Sequence, residues 1–503
     1  MLDKLQVGYL TLFKLEMACT FAQCSHGACC GCRRIEIAEV TLSYKLFSDV
    51  HKFEKPNDEK ALNLMNTCAA AILEEYPDIV FSYGFRDEYS FVFKKKFAFY
   101  KRRASKILSV VVSLFSSVCV TKWKDYFPQM ELRFPPSFQS RIITCASMEV
   151  LQAYLTWRQN DCHVQNQCNT CLWMLIKCGK SEMEAQEVLK HPFVYCSCWV
   201  LVDSKYVYFQ GTGKQEKNEL LFQQFGINYK KLPPMFRQGS CVLRRAKRFK
   251  SEVEDIDKYK DGETLVKSPG RNVILVHSGN IASRSFWSEH SCLLKELGSF
   301  EEDINKVKPE YVKSFEFERK LLPSTWIVVR IDGRHFHGGI VSVIVSFFSS
   351  MYVMKWKGFF PQKELKNPPP SFDGRAVCYP SKEILRDYLA WRQVDCHINN
   401  QYNTCFWMLV KSGKSKSEAQ DYLKGTRAQE KSELLVQQFG IDYQTLPAMF
   451  RQGSSVFWDK EDPTERYSDG PDGKSRKKVV VVNCNIIEQS FWEAHPNILD
   501  EEC

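Results

Sequence analysis

A seven-residue segment, Trp157-Arg158-Gln159-Asn160-Asp161-Cys162-His163, recurs 234 residues later as Trp391-Arg392-Gln393-Val394-Asp395-Cys396-His397. Lys122-Trp123-Lys124 returns as Lys355-Trp356-Lys357, and Phe236-Arg237-Gln238-Gly239-Ser240 returns as Phe450-Arg451-Gln452-Gly453-Ser454. A period above 200 residues is too long for a solenoid, whose stacked units are short, and marks a tandem duplication of a whole domain. The offset falls to 214 at the last pair because of one 20-residue segment, His191 to Gln210. In the second copy Leu423-Lys424 runs straight into Gly425-Thr426.

The copies are unequal. Residues 1–45 match nothing in the second copy and are left unassigned; the first copy is placed at 46–300 and the second at 310–503. Arg330-Ile331-Asp332-Gly333-Arg334-His335-Phe336-His337 has no likeness in the first copy. The second copy in turn lacks everything equivalent to 46–106: Gly339 leads directly into Ile340-Val341-Ser342-Val343, the counterpart of Ile107-Leu108-Ser109-Val110. Each copy carries half of something.

Local patterns give the elements. Apolar Leu62, Met65, Ala69 and Leu73 recur at helical spacing over Glu59–Glu75, with Asp58 as the N-cap. Residues 78–93 read as strand, turn, strand, with Asp87 and Glu88 in the turn. A buried helix (107–121), a long helical segment (147–190) ending in a Gly179-Lys180-Ser181 turn, and a helix at 215–225 follow. The charged stretch 244–271 reads as a loop, and Trp326-Ile327-Val328-Val329 and Val479–Val482 read as strands.

Composition narrows the class. With 503 residues and a hydrophobic fraction of 44%, the chain has material for real cores. The net charge of +10 suits a polyanionic partner such as RNA. Met1-Leu2-Asp3-Lys4 lacks the basic start and apolar core of a secretory leader, so the 21 scattered cysteines are expected to be reduced thiols. Cys24, His26, Cys29, Cys30 and Cys32 cluster at a spacing that fits no standard zinc pattern. The apolar runs 107–121 and 338–354 are short for a membrane span and are expected to be buried helices, with no membrane partner.

The strand before Arg330 ends on Asp332 and Gly333. A carboxylate followed by glycine at a strand end suits a hard cation and a phosphate, although Asp-Gly alone reads more often as an ordinary turn. Nucleotidyl transfer with two metal ions needs about three carboxylates converging on neighbouring strand ends. Asp332 supplies one, and Asp87 and Glu88 the others; the basic run Lys94, Lys95, Lys96, Lys101, Arg102, Arg103 and Lys106 would hold a triphosphate. Magnesium is the expected ion.

Arg330–Phe336, Lys55-Pro56-Asn57-Asp58, Asp87-Glu88-Tyr89-Ser90-Phe91, Phe372-Asp373-Gly374-Arg375 and His397–Thr404 together resemble the signature motifs of the tRNA-His guanylyltransferase family, and the duplication resembles its plant form. The likeness spans about 46 to 460. It implies an α+β fold: two tandem polymerase-palm-like domains, each an antiparallel sheet with helices packed on one face. It implies addition of a guanine nucleotide to the 5′ end of tRNA-His in the 3′→5′ direction, after activation by ATP, with GTP as donor, Mg²⁺ as cofactor, a homo-oligomer (typically a tetramer) and residence in the nucleus, favoured as nucleoplasm, or in the cytoplasm.

Carried over by residue, the resemblance implies that Asp332, the Gly333 carbonyl and Asp87 bind Mg²⁺, with Glu88 in support and His397 acting in catalysis. Arg330, Arg334, His335, Lys55, Asp58, Lys96, Arg103, Asn403 and Lys431 would contact nucleotides; His163, Asn169 and Lys217 are the first-copy counterparts of His397, Asn403 and Lys431. Arg86 stands where the family usually has a small residue, and Phe138-Gln139-Ser140-Arg141 replaces Phe-Asp-Gly-Arg. The metal acids are split between the copies, which leaves two rival readings: a defective homologue that binds tRNA without adding a nucleotide, and a palm-type transferase or cyclase with no tRNA substrate.

Overall fold

The computed structural model describes residues 35–42, 44–94, 97, 100, 103–145, 148–190, 196–202, 205–211, 214–245, 263–266, 273–297, 326–332, 339–379, 381–460 and 477–499. The chain divides into two compact units, one of residues 1–320 with 329–376, the other of 321–328 with 377–503.

The larger unit is built on a seven-stranded sheet. Its strands are β1 (Ile35–Leu42), β2 (Ile79–Phe85), β3 (Glu88–Phe93), β4 (Phe138–Cys145), β7 (Ser240–Arg245), β8 (Glu263–Val266) and β9 (Val273–His277), in the order β4-β1-β3-β2-β7-β9-β8, every neighbouring pair antiparallel. The inserted segment forms its own two-stranded hairpin, β5 (Cys196–Val202) with β6 (Lys205–Gly211). The α+β class and the antiparallel sheet are as expected. Ile35–Leu42 corrects the reading of 1–45 as unassigned: this strand sits between β3 and β4, inside the sheet of the first copy.

Helices cover both faces of the sheet, not one. Period-two alternation sends Tyr89, Phe91 and Phe93 to a core with α1 (Glu59–Glu75) and α2 (Ala104–Tyr126), and sends Val92, Phe81 and Tyr83 to a second core with the start of α3 (Met148–Lys177). Strands buried on both faces read as continuous apolar runs, which hides the second layer from the pattern. Asp58 caps α1 as expected, its Oδ1 accepting from Ala61 N at 2.9 Å and its Oδ2 from Glu54 N at 3.0 Å. The apolar α2 is long enough to cross a membrane by length and composition, yet 83% of its most apolar window is buried in this core. β8 falls inside the stretch expected to be a loop; it is a four-residue strand at the end of the sheet, paired with β9.

The second copy contributes β10 (Trp326–Asp332), α4 (Gly339–Phe359) and β11 (Asp373–Tyr379), with β10 and β11 paired as a separate two-stranded sheet. β11 is the repeat counterpart of β4. Strand β1 therefore holds beside β4 the place that β10 holds beside β11.

The smaller unit follows α5 (Lys382–Lys411), the counterpart of α3, with α6 (Lys416–Leu423), α7 (Ala428–Phe439) and the β12–β13 hairpin (Ser455–Lys460, Lys477–Val482). One network recurs in both copies. Gln393 Nε2 donates to Gln452 O at 3.0 Å and Cys484 O at 2.8 Å; Gln159 Nε2 donates to Gln238 O at 3.0 Å and Gly279 O at 2.8 Å.

Candidate functional site

The structure keeps Asp87 in the hairpin loop but moves Glu88 out of the turn, to the first position of β3. β2 and β3 pair from Phe85 opposite Glu88, so Arg86 and Asp87 form a two-residue hairpin loop. Gly84 lets the hairpin close, because a Cβ there would meet the Tyr89 ring within 2.4 Å. Tyr89 Oη in turn donates to Asn66 Oδ1 at 2.8 Å, tying the hairpin to α1. The loop also meets β1, whose Leu42 N donates to Asp87 O at 2.9 Å.

Two guanidinium groups flank the two acids. Arg158 of α3, 1% exposed, pairs with Glu88, 15% exposed, and its guanidinium lies 4.9 Å from the Phe85 ring centre. Arg86 Nε is 4.0 Å from Asp87 Oδ1. Asp87 is only 13% exposed. Loss of hydration pushes its carboxyl up to about 6; Arg86 opposes that rise and the Glu88 charge adds to it.

Further along, α3 presents a face against the Lys55–Asp58 turn. Asn166 Nδ2 donates to Asn57 Oδ1 at 2.9 Å, Asn169 Nδ2 to Pro56 O at 3.0 Å, and Lys177 Nζ to Lys55 O at 2.8 Å. Lys55 Nζ lies 5.4 Å from the Trp173 ring centre and 2.8 Å from Ser48 Oγ. Positions 166, 169, 173 and 177 follow helical spacing, so one face carries them all. Asp58 gives both carboxylate oxygens to backbone amides, which makes it the cap that shapes this turn. Of the basic run, Arg103 Nε donates to Tyr100 O at 3.3 Å, and Lys106 is fully buried with its ammonium 5.1 Å from the Tyr100 ring centre. Lys96 lies outside the described residues.

The second copy leaves the same helix face open. Trp407 and Asn403 are exposed where Trp173 and Asn169 are half-buried, because no counterpart of the Lys55–Asp58 turn is present to cover them. His397 stacks edge-on with Tyr443 at 5.2 Å, and Tyr443 Oη donates to His397 O at 3.3 Å; His163 and Tyr229 repeat that pair at 5.3 Å and 3.2 Å. Lys431 is buried, with Nζ donating to Thr426 O at 2.6 Å. Asp332 and Arg330 lie on β10, in a different sheet from the Asp87 hairpin. Gly333, Arg334, His335 and the cysteine cluster at 24–32 lie outside the described residues.

Sequence reading gave no role to Arg158, Asn166, Trp173 or Lys177. The signal available was their shared helix face downstream of a repeated motif.

Among the described residues no group of three acids, histidines or cysteines is placed to hold a metal ion. Two carboxylates facing two guanidinium groups do not by themselves fit a two-cation centre.

Two family models match the chain. One, described as tRNAHis guanylyltransferase, matches residues 41–146, 309–338 and 339–380; the other, Thg1 C terminal domain, matches 149–196, 198–282 and 383–489. Among curated relatives, tRNA(His) guanylyltransferase 2 of Arabidopsis thaliana is 52% identical, over 91% of this chain and 94% of that protein. tRNA(His) guanylyltransferase 1 of the same organism is 52% identical over 91% of this chain and 86% of its own length. Probable tRNA(His) guanylyltransferase of Mus musculus is 37% identical over only 50% of this chain but 79% of that protein, the relation expected of a single copy. Together these define a nucleotidyltransferase with a duplicated sequence. More narrowly, the chain belongs to the tRNA(His) guanylyltransferase family.

Proposed function

We propose that this protein adds a guanine nucleotide to the 5′ end of tRNA-His, using ATP to activate the end and GTP as the donor. The observation that carries this reading is the 52% identity to two plant guanylyltransferases along 91% of the chain. The net charge of +10 favours a polyanionic substrate. In this reading Lys55, Asn169, Trp173 and Lys177 form the cradle for a nucleotide: the indole offers a stacking face, the amide a base- or sugar-edge contact, and the ammonium groups charge for phosphate. The family resemblance is the ground for taking the nucleus, favoured as nucleoplasm, or the cytoplasm as its compartment in this reading.

Magnesium belongs to this proposal as the ion that would neutralise the triphosphates. It would need Asp332 beside Asp87, and Arg86 withdrawn from Asp87.

A second reading has its own observation. The strand of Asp332 and the hairpin of Asp87 belong to separate sheets, and guanidinium groups flank the acids of the hairpin. A homologue so arranged would bind tRNA without adding a nucleotide. Incubation with 5′-monophosphorylated tRNA-His, ATP, GTP and Mg²⁺ separates the two. One added nucleotide, lost in both Asp332→Ala and Asp87→Ala, supports the transferase; retained tRNA binding with no addition establishes the second reading.

A further inference from the structure

The two copies meet within the larger unit along a ridge of serines. Ser113 Oγ lies 2.7 Å from Ser349 Oγ, and Ser116 Oγ lies 2.7 Å from Ser346 Oγ. All four are fully buried. Counted from the Lys-Trp-Lys repeat, Ser346 is the counterpart of Ser113 and Ser349 that of Ser116. Each bond therefore joins a serine to the counterpart of its neighbour's position, and exchanging the two copies turns one bond into the other.

The same exchange holds for the flanking backbone. Ser117 Oγ donates to Pro370 O at 2.7 Å, and Ser350 Oγ donates to Pro136 O at 2.7 Å. Phe138 N donates to Ser346 Oγ at 2.7 Å, and Phe372 N donates to Ser113 Oγ at 2.5 Å. Ser117 and Ser350, Pro136 and Pro370, and Phe138 and Phe372 are repeat counterparts. The paired edge-on rings Phe115–Phe138 at 4.9 Å and Phe348–Phe372 at 5.0 Å complete the set. Residue i meeting j while the counterpart of j meets the counterpart of i is the signature of an isologous, two-fold contact. Small hydroxyl side chains let the two helices approach closely, and each hydroxyl finds a partner, as burial requires.

We propose that α2 with the Pro-Pro-Ser-Phe segment after it, and α4 with its own, form a self-recognition surface whose partner is a second copy of the same element. The duplication uses that surface inside one chain. One chain is thus the covalent equivalent of a two-fold dimer at this contact, and the surface is closed to further chains.

Cysteine cross-linking of the full chain tests this without relying on activity. Ser116→Cys with Ser346→Cys, and separately Ser113→Cys with Ser349→Cys, place two thiols at positions whose hydroxyls are in hydrogen-bond contact. Mild oxidation followed by peptide mapping distinguishes the new disulfide from those of native cysteines. The expected result is a 116–346 and a 113–349 cross-link within monomeric chain, in yields unchanged by dilution. A covalent dimer joined through these residues would overturn the proposal by placing the contact between chains. Absence of a cross-link in both pairs would overturn it by separating the helices.

Discussion

Arg158 reaches across from its helix to Glu88 at the start of β3, whereas its repeat counterpart Arg392 stays on its own helix, bonding Asp395 three residues on at 2.6 Å and lying 5.5 Å from the Trp391 ring centre. The same residue in the same motif is buried against the hairpin in one copy and half-exposed in the other, because the second copy has no hairpin to offer it.

Arg158→Ala leaves Glu88 without its guanidinium in a largely dry site. Removing one member of such a pair is expected to destabilise the larger unit by about 3–5 kcal/mol. Arg392→Ala breaks a pair whose side chains are 32% and 33% exposed and is expected to cost under ~1 kcal/mol. Urea denaturation of the two variants measures the contrast; equal shifts would contradict the anchoring.

Arg86 takes φ of +50° in the hairpin loop, a region that favours glycine. Arg86→Gly relieves that conformation and also removes a cation from beside Asp87. Stability is expected to rise by roughly 0.5–1 kcal/mol, less any loss from the ion pair. Thermal unfolding checks the sign.

Asp87 gives a pH dependence of defined direction. Its folded carboxyl titrates at about 6, above the ordinary value of 3.8, chiefly because it is desolvated. The folded state therefore holds the proton more tightly, and stability falls as pH rises from about 4 through 6. The penalty is complete above the folded value. Asp87→Asn is expected to be more stable than the parent at pH 7 by about 3 kcal/mol, a gap that shrinks to about 0.5 kcal/mol near pH 4. Denaturation midpoints at both pH values give the test; a constant gap would refute the titration.

Leu114 is 1% exposed and its counterpart Phe347 is 44% exposed. On α2 that face is covered by α1 and the sheet, while the second copy has no counterpart of α1 or of the β2–β3 hairpin. Leu114→Ala is expected to cost about 2–5 kcal/mol and Phe347→Ser about 0.5 kcal/mol or less. Unfolding curves of the two variants decide it.

Much of this was legible in the sequence. Glu59–Glu75 announced itself through apolar spacing and the Asp58 cap, and the Asp87 hairpin through two β-rich runs around a polar turn. Strand β1 was not legible: Ile35–Leu42 mixes acids with apolar residues and resembles nothing in the second copy, so only its pairing with β3 and β4 reveals it. The site was legible as chemistry but not as geometry. Arg158 and Glu88 are 70 residues apart, and the choice between Glu88 and Asp395 as an arginine's partner is made by tertiary placement, which no local pattern records. His397 was read as a catalytic residue; its ring packs edge-on against Tyr443, 46 residues away, a contact equally invisible along the chain.

The exchanged serine bonds have a consequence for how such a chain can change. Between two identical subunits, a substitution at Ser116 would strike both halves of the contact at once. Here Ser116 and Ser349 are encoded separately, so a mutation alters one half while the other holds. A contact that must vary in pairs is conservative; one that varies singly can drift by half-steps. Joining the copies in one chain thus loosens the symmetry it preserves, and lets one copy keep a covered helix while the other leaves its face open.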